Sequence, residues 1–446
     1  MGFRFIHTSD WHLGATMRDG SLEEEQLRFL RWLLDELSQR DVDALVVAGD
    51  LFHHRNPSNR ARQLYYDFLA ACEKRTTLKQ VIVTAGNHDS PSGLEAPRAL
   101  LEYLRVKVLG TLRAEEKSWT ELLVPVKGTD GEICGVVAAV PYVSEARLGI
   151  SGLGKNHEEI KAEFQDQFQK LYRVLADEAQ ARYGDLPLVA TGHLTCYGQG
   201  EKKEGDFHTP IHQIGTIEAL PPQIFDSRFD YVALGHIHRM FPIYVSGEEP
   251  RIWYSGTPVP TAVTERSQRY VLEVQIDAPN ATPVVEKIKV PAFRDVLLLE
   301  GSTDEVLEAA RTLTTEKELK PYLFVRLQNE ELNYRSETYG QIKEALFAKF
   351  SEEMMPRVVD FRNTLIRPAS EVEEALESRD LEEITPEELF ADLYRYRFGG
   401  TEVPDEILQA FRELLGGPEE KEELRDEKFL EEKSQPSLFS ILEGEE

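Results

Sequence analysis

The sequence predicts an α/β sandwich flanked by helices, followed by a smaller α+β unit and short C-terminal helices. Three observations carry that expectation. The first half alternates short apolar, β-rich runs with helical patterns, the way helix-covered sheets read. Near Asp277 the character changes at a turn, Ala278-Pro279-Asn280, and a strand, helix, strand, helix, strand order follows to about residue 368. Beyond a charged linker, residues 385–415 read as two short helices separated by Gly399-Gly400. The expected segments are 1–275, 276–368, a linker at 369–384, helices at 385–416 and a tail at 417–446.

Each element has a local reason. Residues 3–6 read as a strand, and Ser21-Leu22-Glu23-Glu24 as a capping box opening a helix with Leu27, Leu30, Leu33, Leu34 and Leu37 inward. Residues 43–48 form a buried strand and residues 60–74 a helix. Strands follow at 80–84, 135–140, 187–190 and 231–234, interrupted by a long polar helix over 158–182. In the smaller unit the candidate strands are 296–299, 322–327 and 357–361. The final 30 or so residues are acidic and punctuated by Pro and Gly, a composition that predicts disorder.

Composition limits what the chain can be. At 446 residues, 41% of them hydrophobic, it can bury a sizeable core in two or three units. Its apolar opening is too short for a signal peptide, and no run of eighteen uncharged apolar residues offers a membrane span, so a cytoplasmic protein is expected. Cys72, Cys134 and Cys196 lie far apart with no CxxC, against a disulfide framework or a thiolate zinc site. A net charge of −28 opposes phosphate binding, but it is uneven. Residues 370–446 hold 25 acidic and 8 basic residues, whereas residues 1–369 hold 54 and 43. Any nucleic-acid surface must therefore be a local patch or a partner's contribution.

Five apolar runs end in residues that ligate metals. The runs at 3–6, 45–48, 81–85, 188–191 and 232–234 lead into Asp10-Trp11-His12, Gly49-Asp50, Gly86-Asn87-His88-Asp89, Gly192-His193 and Gly235-His236-Ile237-His238. Sites in open α/β sheets form outside the carboxyl ends of strands, so these endings converge on one crevice. Carboxylate, amide oxygen and imidazole suit manganese, iron or zinc, while magnesium prefers oxygen alone. Asp10/His12 and His236/His238 each put two ligands two residues apart, on one side of an extended segment. A glycine before Asp50, Asn87, His193 and His236 lets backbone approach the ions closely. Asp50, alone in its motif, is the expected bridge between two cations, a pair able to activate water and clamp an in-line phosphoryl displacement. Any one Gly-Asp or Gly-His is ordinarily a turn; five in this order are a metal site.

These motifs resemble the calcineurin-like metallophosphoesterase superfamily. More narrowly, residues 7–14 (HTSDWHLG), Gly49-Asp50-Leu51-Phe52-His53 and residues 254–260 (YSGTPVP) are similar to the SbcD family of bacterial double-strand-break nucleases. The resemblance implies a metallophosphoesterase β-sandwich, a smaller capping domain bordering a DNA groove, and two Mn2+ ions, with iron, zinc or magnesium as alternatives. It implies one ion on Asp10, His12, Asp50 and His238 and another on Asp50, Asn87, His193 and His236. His88 becomes the proton donor to the leaving oxygen, and His53 helps position DNA. The implied activity is a double-strand 3′-5′ exonuclease and single-strand or hairpin endonuclease. It works with an SMC-like SbcC ATPase in repair, recombination and replication, as a heterotetramer built on a homodimer through helices near residues 60–104. His7, His54, His157, His208 and His212 are assigned no direct role.

Other signals concern partners. Residues 149–156 (GISGLGKN) nearly spell a phosphate-cradling loop, but Asn156 replaces the magnesium-binding hydroxyl and no strand leads into Gly149, so the chain itself is not expected to bind ATP. Leu389, Phe390, Leu393 and Tyr394 form one apolar stripe, and Ile407, Leu408, Phe411, Leu414 and Leu415 another; these resemble the family's ATPase-binding helices. Gln435-Pro436-Ser437-Leu438-Phe439 resembles peptides that bind the bacterial sliding clamp, with Gln435, Leu438 and Phe439 as its contacts. The smaller unit, with 13 basic and 16 acidic residues, announces no basic stripe. Two rival readings remain: a small-molecule phosphoesterase on the same metals, and a non-catalytic ATPase or clamp adaptor.

Overall fold

The computed structural model describes residues 2–113, 115–150, 155–197, 219–245, 249–265, 267–329 and 335–365, with residues 387, 390, 391, 394, 403, 404, 407–409, 411 and 412 beyond them. The chain divides into two compact units, Met1–Leu327 with Ser336–Arg362, and Gln328–Arg335 with Asn363–Glu446. In chain order the first unit opens with β1 (Phe3–Thr8), β2 (Thr16–Met17), β3 (Gly20–Ser21), α1 (Glu23–Gln39), β4 (Ala44–Ala48) and α2 (Asn59–Arg75). Next come β5 (Gln80–Thr84), α3 (Pro91–Glu95), α4 (Arg98–Tyr103), β6 (Val106–Leu109), β7 (Leu123–Lys127), β8 (Ile133–Ala138) and α5 (His157–Tyr183). The sandwich is completed by β9 (Leu188–His193), β10 (Tyr231–Gly235), β11 (Phe241–Ile243), β12 (Ile252–Tyr254), β13 (Tyr270–Ile276) and β14 (Val284–Lys289).

Two six-stranded sheets result, ordered β14-β13-β1-β4-β5-β6 and β11-β12-β10-β9-β8-β7. The strands that lead into the motifs lie side by side and parallel: β1, β4 and β5 in one sheet, β9 and β10 in the other. Strands covered on both faces read as unbroken apolar runs, and β4 shows why. Ala44 and Val46 join the core between the sheets, whereas Leu45 and Val47 join a second core under α1 and α2. On the far side, α5 covers the second sheet with Phe164, Phe168, Leu171, Leu175 and Ala179, a three-to-four-residue spacing that keeps one face inward. Asn156 starts α5 with a capping box to Glu159. The three cysteines are buried and free.

Two expectations need correction. Ser21 does not form the capping box: α1 begins at Glu23 with Leu22 as its cap and no side-chain cap bond. Ser21 is instead paired in the β2–β3 ribbon, opposite Thr16, which leaves it a residue too early to reach the helix's third N–H. The turn at residues 278–280 is a hairpin within the first sheet, because β14 pairs antiparallel with β13. Asn280 takes the left-handed turn conformation there (φ 61°).

After β14 come β15 (Arg294–Gly301), α6 (Thr303–Thr312), β16 (Leu319–Asn329), α7 (Arg335–Phe347) and β17 (Arg357–Leu365), in the order read from the sequence. They build a three-stranded sheet, β15-β16-β17. Along β16, Leu323, Val325 and Leu327 point into the core under the helices, while Tyr322 and Phe324 pack on Ala15, Met17 and Leu22 around the β2–β3 ribbon. The fit is tight: a Cβ on Gly20 would lie 2.5 Å from the Tyr322 ring. The Tyr322 hydroxyl donates to the Ser21 carbonyl (2.5 Å), Arg357 donates to the Asp19 carbonyl (2.8 Å), and Arg294 forms a buried ion pair with Glu25.

In the second unit the described residues are helical at 387, 390, 391, 394, 407–409, 411 and 412. Phe390 and Phe411 stack with centroids 4.0 Å apart, and Arg412 pairs with Glu387. Leu389, Leu393 and Leu414, the linker, the tail and its Gln435, Leu438 and Phe439 lie outside the described residues.

Candidate metal centre

All five strand ends converge. The loops after β1 and β4 run together: the amides of Asp10, His12 and Leu13 donate to the carbonyls of Gly49, Asp50 and Leu51 at 2.9–3.0 Å. The segments are not extended as expected. Asp10 (φ 53°), His12 (φ 44°), Asp50 (φ 49°) and His236 (φ 92°) all adopt positive φ, and it is this left-handed backbone, not strand alternation, that turns the side chains toward one point. Glycines here are dictated by space. A Cβ on Gly49, itself at φ +88°, would sit 2.1 Å from His193 Nδ1, and one on Gly86 would sit 2.0 Å from Asp50 Oδ1.

The seven candidate ligands form two groups around Asp50. On one side His12 Nε2 lies 3.0 Å from His238 Nε2 and 3.6 Å from Asp50 Oδ2. On the other, His193 Nε2 lies 3.3 Å from Asp50 Oδ2, and Asn87 Oδ1 is 3.1 Å from both His193 Nε2 and His236 Nδ1. Asp10 accepts from the His236 amide (3.0 Å) and from Ser9 Oγ (2.5 Å). His88 and His53 stand beside the first group, their rings stacked at 5.6 Å. His88 Nδ1 donates to the His53 carbonyl (2.9 Å), and its amide donates to Asp50 Oδ1 (2.9 Å).

The electrostatics follow from burying so many polar groups. Burial pushes the Asp10 carboxyl above the usual carboxylate range, against the opposing pull of His193 and His238. Asp50 is also buried, but the charge and hydrogen bond of His193 outweigh that and hold it well below. His193 is correspondingly raised to about 9: burial opposes its charge, and Asp50 more than compensates. His236, short of such a partner, is lowered to about 3 by burial and then by His193, and His53 to about 4 by burial and then by His54.

This donor set fits divalent cations. Asp10, His12 and His238 bring ligand atoms within 4.8 Å of one another, as do Asp10, Asp50 and His193, and also His12, His53 and His88. His238 Nδ1 donates to Glu265 (2.6 Å) and His193 Nδ1 donates to the Ala48 carbonyl (3.0 Å), so the inward Nε2 of each offers a lone pair when neutral. Lone pairs of imidazole, carboxylate and amide oxygen facing one point are what a cation satisfies.

Three contributors were missed from sequence. Asp89 accepts from the amides of Gly86, Leu51 and Phe52 at 2.8–3.0 Å, tying the β4 and β5 loops together, with burial and then Asp50 pushing its carboxyl up to about 7. Ser255 hydrogen-bonds Ser9 at 2.8 Å. Glu265 backs His238, and nothing in its sequence neighbourhood signals that role. His7 is buried on β1, 3.0 Å from the Tyr231 hydroxyl. His208 and His212 lie outside the described residues.

Residues 3–240 match the calcineurin-like phosphoesterase family, and residues 292–398 match the type 5 capsule protein repressor C-terminal domain. The chain belongs to the calcineurin-like phosphoesterases, and it is a metal-dependent phosphodiesterase. Within that class it belongs with the SbcD components of SbcCD nucleases. The SbcD component of the SbcCD nuclease of Rhodobacter capsulatus is 34% identical over 87% of this chain and 93% of its own length. The same-named protein of Escherichia coli is 30% identical over 85% and 91%, and that of Bacillus subtilis 27% identical over 94% and 99%. Among solved structures, a β-glucosidase from Exiguobacterium marinum aligns over 81% of this chain and 88% of its own at 10% identity, with a TM-score of 0.21 that carries no argument.

Proposed function

We propose that this chain is a manganese-dependent DNA nuclease. It acts on duplex ends as a 3′-5′ exonuclease and on single strands or hairpins as an endonuclease, in DNA end processing, repair, recombination and replication. One observation carries the reading: Asp50 stands between two groups of ligands, 3.6 Å from His12 on one side and 3.3 Å from His193 on the other. One ion would be held by Asp10, His12, Asp50 and His238, the other by Asp50, Asn87, His193 and His236, with iron, zinc or magnesium as alternatives. Such a pair, when bound, supplies a nucleophile at neutral pH and charge stabilisation for an in-line displacement at phosphorus.

The chain's own residues do the rest. His88, its Nδ1–H engaged by the His53 carbonyl, presents Nε2 as the proton carrier for the leaving oxygen. His53, stacked on His88, positions the strand. The sheet of β15–β17 is the capping domain, and its grip on the β2–β3 ribbon supports placement close behind His12. Asn156 spends its side chain capping α5, which supports a chain that does not itself bind ATP.

The partner is an SbcC-like SMC-family ATPase docked through Leu389, Phe390, Leu393, Phe411 and Leu414. Leu100 and Tyr103, 71% and 83% exposed on α4, support a homodimer and hence a heterotetramer. Gln435, Leu438 and Phe439 would engage the sliding clamp. No described helix is long and apolar enough to cross a membrane, and a cytoplasmic, nucleoid-associated enzyme is the reading adopted. The test is a digest of end-labelled duplex and hairpin DNA with manganese, with and without the ATPase. Shortened duplex and opened hairpin are expected. Hydrolysis of nucleotides or p-nitrophenyl esters alone would transfer the site to the small-molecule reading.

A further inference from the structure

His12, His193 and His238 turn one imidazole nitrogen inward and rest the other on a neighbour, but the neighbours differ. His193 rests on a backbone carbonyl, and His12 Nδ1 lies 3.4 Å from His53 Nδ1. His238 rests on a carboxylate, Glu265 Oε1, at 2.6 Å. That carboxylate is itself fixed: its other oxygen accepts from the Thr261 amide (2.9 Å) and lies 3.5 Å from Arg269 Nη2. Arg269 also donates to the main-chain carbonyls of His238 (2.7 Å) and Glu265 (2.6 Å), so one guanidinium holds both members of the pair. The side chains of Glu265 and Arg269 are each 7% exposed.

We propose that Glu265 is the positioning residue for His238: it holds Nδ1–H, fixes Nε2 as the inward lone pair and strengthens that nitrogen as a ligand, while Arg269 balances the carboxylate's charge. Glu265 lies beyond the residues matched to the phosphoesterase family, 27 positions from the histidine it serves. A carboxylate behind a ligating histidine sets tautomer and ring orientation, and losing it typically weakens metal binding roughly 10–100-fold. The charge balance matters. Arg269 Nη2, 3.5 Å from the carboxylate, keeps that charge from standing alone in a buried site. The inference rests on the two-ion reading above and deepens it.

The test titrates manganese into the metal-stripped, full-length protein by calorimetry, alongside the melting temperature of the metal-free form. Wild type should bind two ions. In Glu265→Ala one ion should bind about 10–100-fold more weakly and the other unchanged. Glu265→Gln, whose amide oxygen still accepts from Nδ1–H, should recover much of the loss and keeps the question open to measurement if the alanine variant does not fold. Wild-type affinities in both variants would overturn the proposal. So would equal weakening of both ions with a fallen melting temperature, which marks a merely structural role. A wild type that binds no ion at all fails the two-ion reading itself, and is distinguishable on that ground.

Discussion

On one side of Asp50, His193 leans its outer nitrogen on the carbonyl of Ala48, an atom no substitution removes. On the other side His238 leans on Glu265, a side chain that truncation removes. The first histidine is the last residue of a central strand; the second stands three residues past the end of its strand and borrows support from a loop. The difference teaches that two histidines of one centre can be unequally exposed to mutation. His193 is anchored by the sheet's own backbone, whereas His238 depends on the Glu265 side chain.

The largest effect that could break this comparison is at the shared residue. Asp50→Ala should abolish uptake of both ions in calorimetry, whereas His193→Ala should remove one. Two ions retained without Asp50 would show that the halves are independent. Next, His88→Ala should leave both ions bound and lower DNA cleavage roughly 10²–10⁴-fold, the usual range for a lost general acid. Loss of metal in that variant would move His88 from proton donor to ligand.

The smallest effect concerns the floor beneath the centre. His7, buried with its ring edge-on to Tyr231, has its pKa lowered to about 3 by burial, only partly opposed by a backbone hydrogen bond at Leu234. Below pH 6.5 the unfolded chain takes up a proton that the folded chain refuses until about pH 3. This contribution to stability is therefore complete above pH 6.5 and declines on acidification through that window, by at most about 1.4 kcal/mol per pH unit. Denaturant melts of wild type and His7→Gln at pH 7 and pH 5 should converge as pH falls. Parallel lines would mean that His7 takes up its proton without loss.

Much of this was legible in the chain because repetition is legible. Apolar runs such as 80–84 and 231–234 are buried strands for the same reason they are apolar, and the ligand types follow each of them. The strand, helix, strand, helix, strand order of residues 294–365 was equally plain, since its elements alternate in period. What could not be read was whatever depends on distant partners. Strands β11 and β12, three residues each, have no pattern of their own and exist through pairing, β12 with β10 and β11 with β12. Ser21 looked like a cap because a cap needs only local sequence, yet pairing with Thr16 holds it in the ribbon, where its hydroxyl accepts from the amide of Glu23. Glu265 was invisible because a charged residue in a polar stretch carries no mark of the histidine it will meet.

The left-handed backbone at Asp10, His12, Asp50 and His236 has a consequence for which amino acids the site can tolerate. Asp, Asn and His are the non-glycine residues that enter that conformation most readily, and they are also the residues that bind such ions. Chemistry and chain geometry thus draw on the same short alphabet. An alanine there would remove a candidate ligand and add a conformational penalty, so its effect would mix the two. Asparagine in place of Asp50 keeps the fold of the loop while deleting the charge, and is the substitution that isolates ligand chemistry from backbone preference.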